Sequence, residues 1–184
     1  ASIVSNVSYD HMNVLGDTLE EILKNKMGII KPNSISVLGL KEKNLITIVL
    51  EKCHEINNQC YFPLLDEIEI INSDITGSTF NYGVYQNLRI SLTGFHQIEN
   101  AIVALKTIQA LRNEFQISDD HIYQGLLETK WLGRLEVLSN EPLVIVDGAH
   151  NIDGIERVAQ FVKTLDYQTK RCVFACSDDK EKER

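Results

Sequence analysis

The spacing of apolar positions changes several times along this chain, and each change marks an element. Leu143 to Val146 is a continuous apolar run rich in β-branched residues, the pattern of a short strand buried on both faces. It stops at Asp147-Gly148-Ala149-His150-Asn151. Ile155, Val158, Ala159, Val162 and Leu165 then recur at helical spacing. Near the start, Ser2 to Ser8 alternates weakly, as a strand would, and leads into Tyr9-Asp10-His11-Met12. Asp17 or Thr18 is placed to cap a helix carrying Leu19, Ile22, Leu23 and Met27, which Gly28 and Lys31-Pro32-Asn33 bring to a stop. Ile35 to Leu38 reads as a strand and Glu42 to Ile56 as a helix with Leu45, Val49, Cys53 and Ile56 on one face. Cys60 to Phe62 completes a β-α-β-α-β run, the signature of a parallel sheet.

The period then shortens. Glu67 to Ile71, Ser78 to Tyr85 and Leu88 to Leu92 read as strands, the last two joined by a tight turn at Gln86-Asn87, forming a small antiparallel appendage. Gly94 opens a helix with Ile98, Ala101, Ile102, Leu105, Ile108 and Leu111 on its apolar face, and Ser118 caps a shorter one reaching Glu128. Trp131 to Leu138 reads as irregular to extended. Ser139-Asn140-Glu141-Pro142 is the expected domain boundary, and Arg171 to Ala175 the strand after the last helix. The fold class is α/β, a mostly parallel sheet with flanking helices, the antiparallel appendage, and one β-α-β unit after Pro142. One such unit cannot cover both faces of a parallel sheet. Both ends therefore read as cut, and the missing cover is expected from residues past Arg184 or from another chain.

At 184 residues, 43% hydrophobic and 24% charged, the chain can bury an ordinary core. A net charge of −8 with no basic stripe argues against nucleic acid. No apolar stretch is long enough to span a bilayer, and Ala1 to Asp10 is not a signal peptide. Cys53, Cys60, Cys172 and Cys176 form no C-x-x-C pair, so reduced thiols in a cytoplasmic protein are expected rather than a zinc site.

The turn after Val146 is where chemistry is expected. Open α/β sheets bind ligands outside the carboxyl ends of their strands, which is where Asp147 and His150 fall, and Gly148 permits a sharp turn and close approach. Asp147 and Asn151 are equally explained as caps of the next helix. Capping leaves the histidine between them without a role.

Five motifs in order resemble one family. These are Asp10-His11-Met12 with Leu15-Gly16; Glu20-Glu21-Ile22 with Lys26-Met27-Gly28-Ile29-Ile30-Lys31-Pro32; Leu92-Thr93-Gly94-Phe95-His96-Gln97 with Asn100-Ala101; Trp131-Leu132-Gly133-Arg134-Leu135-Glu136; and Asp147 to Asn151. The series resembles folylpolyglutamate synthases and dihydrofolate synthases, ATP-dependent ligases of the Mur ligase superfamily. Leu132 departs from the usual proline and Met27 from the usual alanine. The resemblance implies that residues 1–140 are the second part of a central ATP-binding domain. Residues 141–184 would then begin a Rossmann-like C-terminal ligase domain. It implies ATP and Mg2+ as cofactors, a folate and L-glutamate as substrates, a cytoplasmic setting in folate and one-carbon metabolism, and a monomeric intact enzyme. By position, Asn100 would contact adenine, Arg134 and His150 the phosphates, and Asp147 the ribose. His11 would be a magnesium ligand, Lys26 the lysine modified to a carbamate near a second metal, and Asp179-Lys180 a pair close to the site. The chemistry implied is an acyl phosphate on a folate carboxylate, attacked by the amine of incoming glutamate.

The residues suit these roles unevenly. Arg forms a fixed fork for phosphate oxygens, and Asn offers a donor and an acceptor to a base edge. His11 on magnesium is less expected, because that ion prefers oxygen. Apart from the resemblance, His11 reads as a capping or core histidine and Lys26 as a solvated lysine at a helix end. Asn100 reads likewise as a solvent-facing residue, Arg134 as a surface ion-pair partner, and His54 and His121 as surface residues. No G-x-x-x-x-G-K-[ST] occurs in the sequence, so the backbone cradle for ATP phosphates is missing; in the family it lies upstream of these motifs. The chain alone is therefore expected to be inactive. Two rivals stand beside this reading: another Mur-type amino-acid ligase of cell-wall synthesis, and a non-catalytic nucleotide-binding module.

Overall fold

The β-α-β-α-β run forms as its pattern predicts. The structure, a computed structural model, describes residues 1–9, 12–112 and 114–175. His11, Cys176 and Asp179-Lys180 lie outside the described residues. Strands β1 (Ser2–Val4), β2 (Ile35–Leu38) and β3 (Gln59–Tyr61) pair in parallel in the order β1-β2-β3. Between β1 and β2 lie the short helix α1 (Met12–Leu15) and α2 (Leu19–Lys26); α3 (Lys43–Glu55) links β2 to β3. The first strand is shorter than its alternation suggests. After Val4, whose carbonyl accepts the Gly39 amide at 2.8 Å, the chain leaves the ladder. Thr18 caps α2 through a capping box: its hydroxyl accepts the Glu21 amide at 3.2 Å, and Glu21 Oε2 accepts the Thr18 amide at 3.2 Å. The helix ends at Lys26, and Met27–Ile29 tightens into a 3-10 turn. Ile22, Leu23, Leu38, Leu45, Val49 and Cys53 join Val4 and Val7 in one core on this side of the sheet.

The antiparallel sheet comprises β4 (Ile68–Asp74), β5 (Gly77–Tyr82) and β6 (Tyr85–Ile90). It is more than an appendage. Phe80, Tyr82, Tyr85, Leu88 and Ile90 share a second core with α4 (Phe95–Leu111) and α5 (Asp119–Glu128), through Ile98, Ala101, Ile102, Leu105, Ile122 and Leu126. The hairpin turn sits at Gly83-Val84, because Tyr82 pairs with Tyr85. Gly83 takes φ +54, the glycine-first pattern of a two-residue hairpin loop. Asn87, expected in the turn, instead has φ +57 beside the register shift between Phe80 and Tyr82. It marks a β-bulge, and its amide donates to Asn81 Oδ1 at 2.8 Å. Ser118 caps α5, and His121, though exposed, completes that cap by accepting the Ser118 amide at Nδ1, 3.3 Å.

The final segment differs most from its sequence pattern. Strand β8 (Leu143–Val146) pairs antiparallel with β7 (Glu136–Asn140), and Glu141-Pro142 forms their turn, so Ser139 and Asn140 of the expected boundary are strand residues. β8 alternates between half-buried and exposed positions, with Val144 and Val146 about 40% exposed. Its expected burial on both faces is absent because, among the described residues, no second layer covers its outer face. Helix α6 (Ile152–Thr164) follows as expected, burying Phe161. Arg171–Ala175 forms no strand, and Val173 is fully exposed. With nothing among the described residues covering it, an apolar run gains nothing from joining a parallel sheet.

Candidate nucleotide site

Three loops meet at the carboxyl ends of β1 and β2. Ser5, Asn6 and Ser8 follow β1, Gly39 and Lys41 follow β2, and the loop before α6 closes from the other side. Three cavities adjoin here. One, of about 390 Å³, lies between α4 and α6. The other two, of about 400 Å³ and about 600 Å³, are lined in common by Ser5, Asn6, His96, Arg134, Asp153 and Arg157. Of this pair, the smaller adds Lys26 and Asp147, and the larger adds Asn100 and Trp131, the only tryptophan in the chain.

The β7–β8 hairpin brings Arg134 and Asp147 together although 12 residues separate Leu135 from Asp147. Asp147 Oδ2 accepts the Leu135 amide at 2.8 Å and Oδ1 the Ala149 amide at 2.7 Å. The Gly148 amide donates to the Gly133 carbonyl at 2.8 Å, and the Gly133 amide to Glu136 Oε2 at 2.7 Å. This web holds Gly133 at φ +68 and Leu135 at φ +44, the left-handed region that a branched side chain enters only when its surroundings impose it. Asp147 therefore does not cap α6. Asn151 does, accepting the Gly154 amide at 2.9 Å. Arg134 is exposed and makes no hydrogen bond or ion pair among the described residues. Its guanidinium is open to a ligand, and it is not the surface ion-pair partner that its charge alone suggests.

Lys26 is no freely solvated lysine: its Nζ donates to the Asn6 carbonyl at 3.1 Å, within the smaller cavity. Asn100 sits on α4, where its Nδ2 donates to Gln97 Oε1 at 3.1 Å. That bond orients the amide, leaving its Oδ1 and one N–H for a ligand edge. His150 is exposed, bonds through Nδ1 to the Gly148 carbonyl at 2.9 Å, and is not among the residues lining either cavity. The structure thus gathers Lys26, Arg134 and Asp147 around one cavity and Asn100 and Arg134 around its neighbour.

Charged residues without a motif complete the site. Glu99, next to Asn100, accepts Lys41 Nζ at 2.6 Å on Oε1 and Arg157 Nη1 at 3.2 Å on Oε2. Arg157 Nε also donates to Asp153 Oδ2 at 3.1 Å, and Asn6 Nδ2 reaches the same oxygen at 3.3 Å. Only the Asp153–Arg157 pair, at i,i+4 spacing, is readable in sequence; Glu99 lies 58 residues from Arg157. His96, on the first turn of α4, lines both cavities. Burial depresses its pKa, Arg157 and Arg134 depress it further, and Asp147 and Glu99 partly compensate. A neutral imidazole beside two guanidiniums keeps the cleft from carrying another cation. Among the described residues no three His, Cys, Asp or Glu side chains converge as a metal cage, and no helix is long and apolar enough to cross a membrane.

An α/β body with charged and polar side chains gathered at its strand ends has known counterparts. Residues 133–184 match the family model described as Mur ligase, glutamate ligase domain. The chain is 32% identical over 170 residues to the dihydrofolate synthase/folylpolyglutamate synthase of Bacillus subtilis, covering 88% of this chain and 39% of that protein. It is 30% identical over 188 residues to the folylpolyglutamate synthase of Lacticaseibacillus casei, covering 98% and 44%. A solved structure titled FPGS-AMPPCP-folate complex superposes with a TM-score of 0.79 at 30% identity, over 91% of this chain and 42% of that one. Mycobacterium tuberculosis folylpolyglutamate synthase complexed with ADP gives 0.76 at 26% identity, over 88% and 38%. Fold, site and matches together define a Mur ligase superfamily protein. Within that superfamily the chain belongs to the folylpolyglutamate synthase and dihydrofolate synthase family. It spans about two fifths of the length of these relatives.

Proposed function

We propose that this chain serves an ATP-dependent ligase that joins L-glutamate to a folate. The observation that carries the reading is the convergence of Arg134, Asp147 and Lys26 with Asn100 around adjoining cavities at the strand ends. Relatives named for folate substrates, and solved neighbours holding ADP, AMPPCP and folate, support it over a cell-wall ligase. In this reading residues 1–140 belong to the ATP-binding domain and residues 141–184 open the ligase domain.

The cavities suit a nucleotide. Asn100, oriented by Gln97, presents a donor and an acceptor to adenine. Each Asp147 oxygen already takes one backbone amide, and each retains a lone pair for a ribose hydroxyl. Arg134 grips phosphate oxygens, joined by His150 if the 147–151 loop turns it inward. For magnesium the fit depends on Lys26. As an ammonium it would repel the ion; as a carbamate it would offer oxygens, and His11 would be its companion ligand. Held there, the ion would supply neutralisation of phosphate charge. The reaction transfers the terminal phosphoryl group to a folate carboxylate, with ADP leaving. The glutamate amine then attacks the acyl carbon, phosphate departs with the C–O bond pair, and a proton is lost from nitrogen. A monomeric, cytoplasmic enzyme accords with this chemistry.

The test expresses the whole reading frame that encodes this chain and assays ATP-dependent glutamate addition to dihydrofolate and tetrahydrofolate, with a cell-wall peptide precursor as control. Trp131 emission, read in the 184-residue chain, reports nucleotide binding separately. Glutamylation of folates is expected, with weak ATP binding by the 184-residue chain. Activity on the wall precursor alone would refute the folate assignment.

A further inference from the structure

We infer that Arg157 is a positioning residue of the nucleotide site, setting the spacing between α4 and the 147–151 loop through Glu99 and Asp153. The inference rests on the nucleotide reading above. Arg157 and Asp153 lie on α6, whose cap, Asn151, ends that loop. Glu99 lies on α4 and immediately precedes Asn100. One guanidinium therefore connects the two walls that would hold the base and the ribose. Its geometry is constrained at both ends. Nε is anchored on its own helix by Asp153 at 3.1 Å, which aims the planar fork and leaves Nη1 to reach Glu99 at 3.2 Å. The Glu99 side chain is only 12% exposed and its other oxygen is taken by Lys41 at 2.6 Å, so it cannot swing away without breaking a second ion pair. Asp153 is tied in turn to Asn6, whose carbonyl holds Lys26. The chain of contacts Lys41–Glu99–Arg157–Asp153–Asn6–Lys26 thus links the loops after β1 and β2 to helices α4 and α6. With Nε and Nη1 already engaged by carboxylates, Arg157 has less to offer a phosphate directly than Arg134 has.

A positioning role and a direct ligand role separate in a double-mutant cycle on the protein expressed from its whole reading frame. Arg157→Gln and Glu99→Gln are each expected to raise KM for ATP by about tenfold, with the larger share of the effect in KM rather than kcat. The double variant is expected to stay within about twofold of either single variant, because both remove one coupling. Arg157→Lys keeps the charge but cannot span both carboxylates, and is expected to fall between wild type and Arg157→Gln; it also serves if the glutamine variants fold poorly. Additive effects, or an unchanged KM in Glu99→Gln, would overturn the inference in favour of a direct contact. Asn100→Ala is the control for the underlying reading. If it raises KM for ATP while Arg157→Gln and Glu99→Gln do not, the positioning role alone fails. If none of the three changes KM, the nucleotide site lies elsewhere and both fail.

Discussion

Replacing Asp147 with alanine should loosen the β7–β8 loop before it affects any ligand. The carboxylate accepts two backbone amides, Leu135 at 2.8 Å and Ala149 at 2.7 Å. A hydrogen bond to a charged group contributes about 1.5–3 kcal/mol, and leaving a buried donor unsatisfied costs about 1–3 kcal/mol. Leu135 is 1% exposed, so water cannot easily replace its partner, whereas Ala149 is half-buried and water can. The net local cost is therefore about 2–4 kcal/mol rather than the sum of two full bonds. Amide hydrogen exchange reads that quantity directly as a local opening free energy. In Asp147→Ala the Leu135 amide should exchange about 30- to 1000-fold faster, with amides of the β1–β2 ladder unchanged. Asp147→Asn should retain most of the loss, since its NH2 would face one of the two donors. Protection of the Leu135 amide within threefold of wild type would refute the argument and return Asp147 to a ligand role alone.

Arg134→Ala should behave oppositely: being exposed and unbonded among the described residues, it should leave the unfolding midpoint within about 0.5 kcal/mol of wild type. Its ATP affinity, by calorimetry on the whole protein, should fall about tenfold or more. His96 carries a pKa depressed below its ordinary 6.5, first by burial and then by Arg157, so the unfolded chain binds more protons just below that pH. Stability from this group is present above pH 6.5 and is lost as pH falls through the depressed value. His96→Gln should flatten the acid limb of urea-unfolding midpoints, and an unchanged limb would show that the imidazole is not shielded. Burial, and then Cys53, push the Cys60 thiol up to about 12, and burial raises Cys53 as well. Iodoacetamide at about pH 8 should label exposed Cys172 in the native protein, and Cys53 and Cys60 only after unfolding, as resolved by peptide mass.

Local chemistry was legible wherever neighbours in sequence decide it. Thr18, Ser118 and Gly94 start helices because capping needs only three or four residues. β1 to β3 were legible because βαβ periodicity is local as well. The hairpin turn lies away from its compositional signal because two signals lie close together. Gln86-Asn87 has the composition of a turn, but Gly83 provides the φ that a two-residue loop needs, and Asn87 spends its left-handed conformation on a bulge. β8 departs from its apolar pattern because four apolar residues describe a strand without naming its partner. An antiparallel neighbour from 136–140 leaves half the side chains exposed, which a run of Val and Ile does not reveal. In the site, motif residues such as Asn100 and Arg134 were visible as a series. Glu99 and Arg157 were not, since an ion pair across 58 residues has no sequence period.

The β7–β8 hairpin has a mechanical consequence. Arg134 precedes β7 in the chain, and a reader of domain boundaries would assign it to the unit holding Asn100. The Asp147 tie and the strand ladder couple it instead to the loop that leads into α6. If α6 rotates away from α4, the swivel falls ahead of Gly133, whose carbonyl is held by the Gly148 amide. The guanidinium proposed to grip phosphate would then travel with the moving piece while Asn100 stays behind. Base and phosphate groups would be gripped by bodies that separate, so opening would release a nucleotide by pulling its two ends apart rather than by uncovering it.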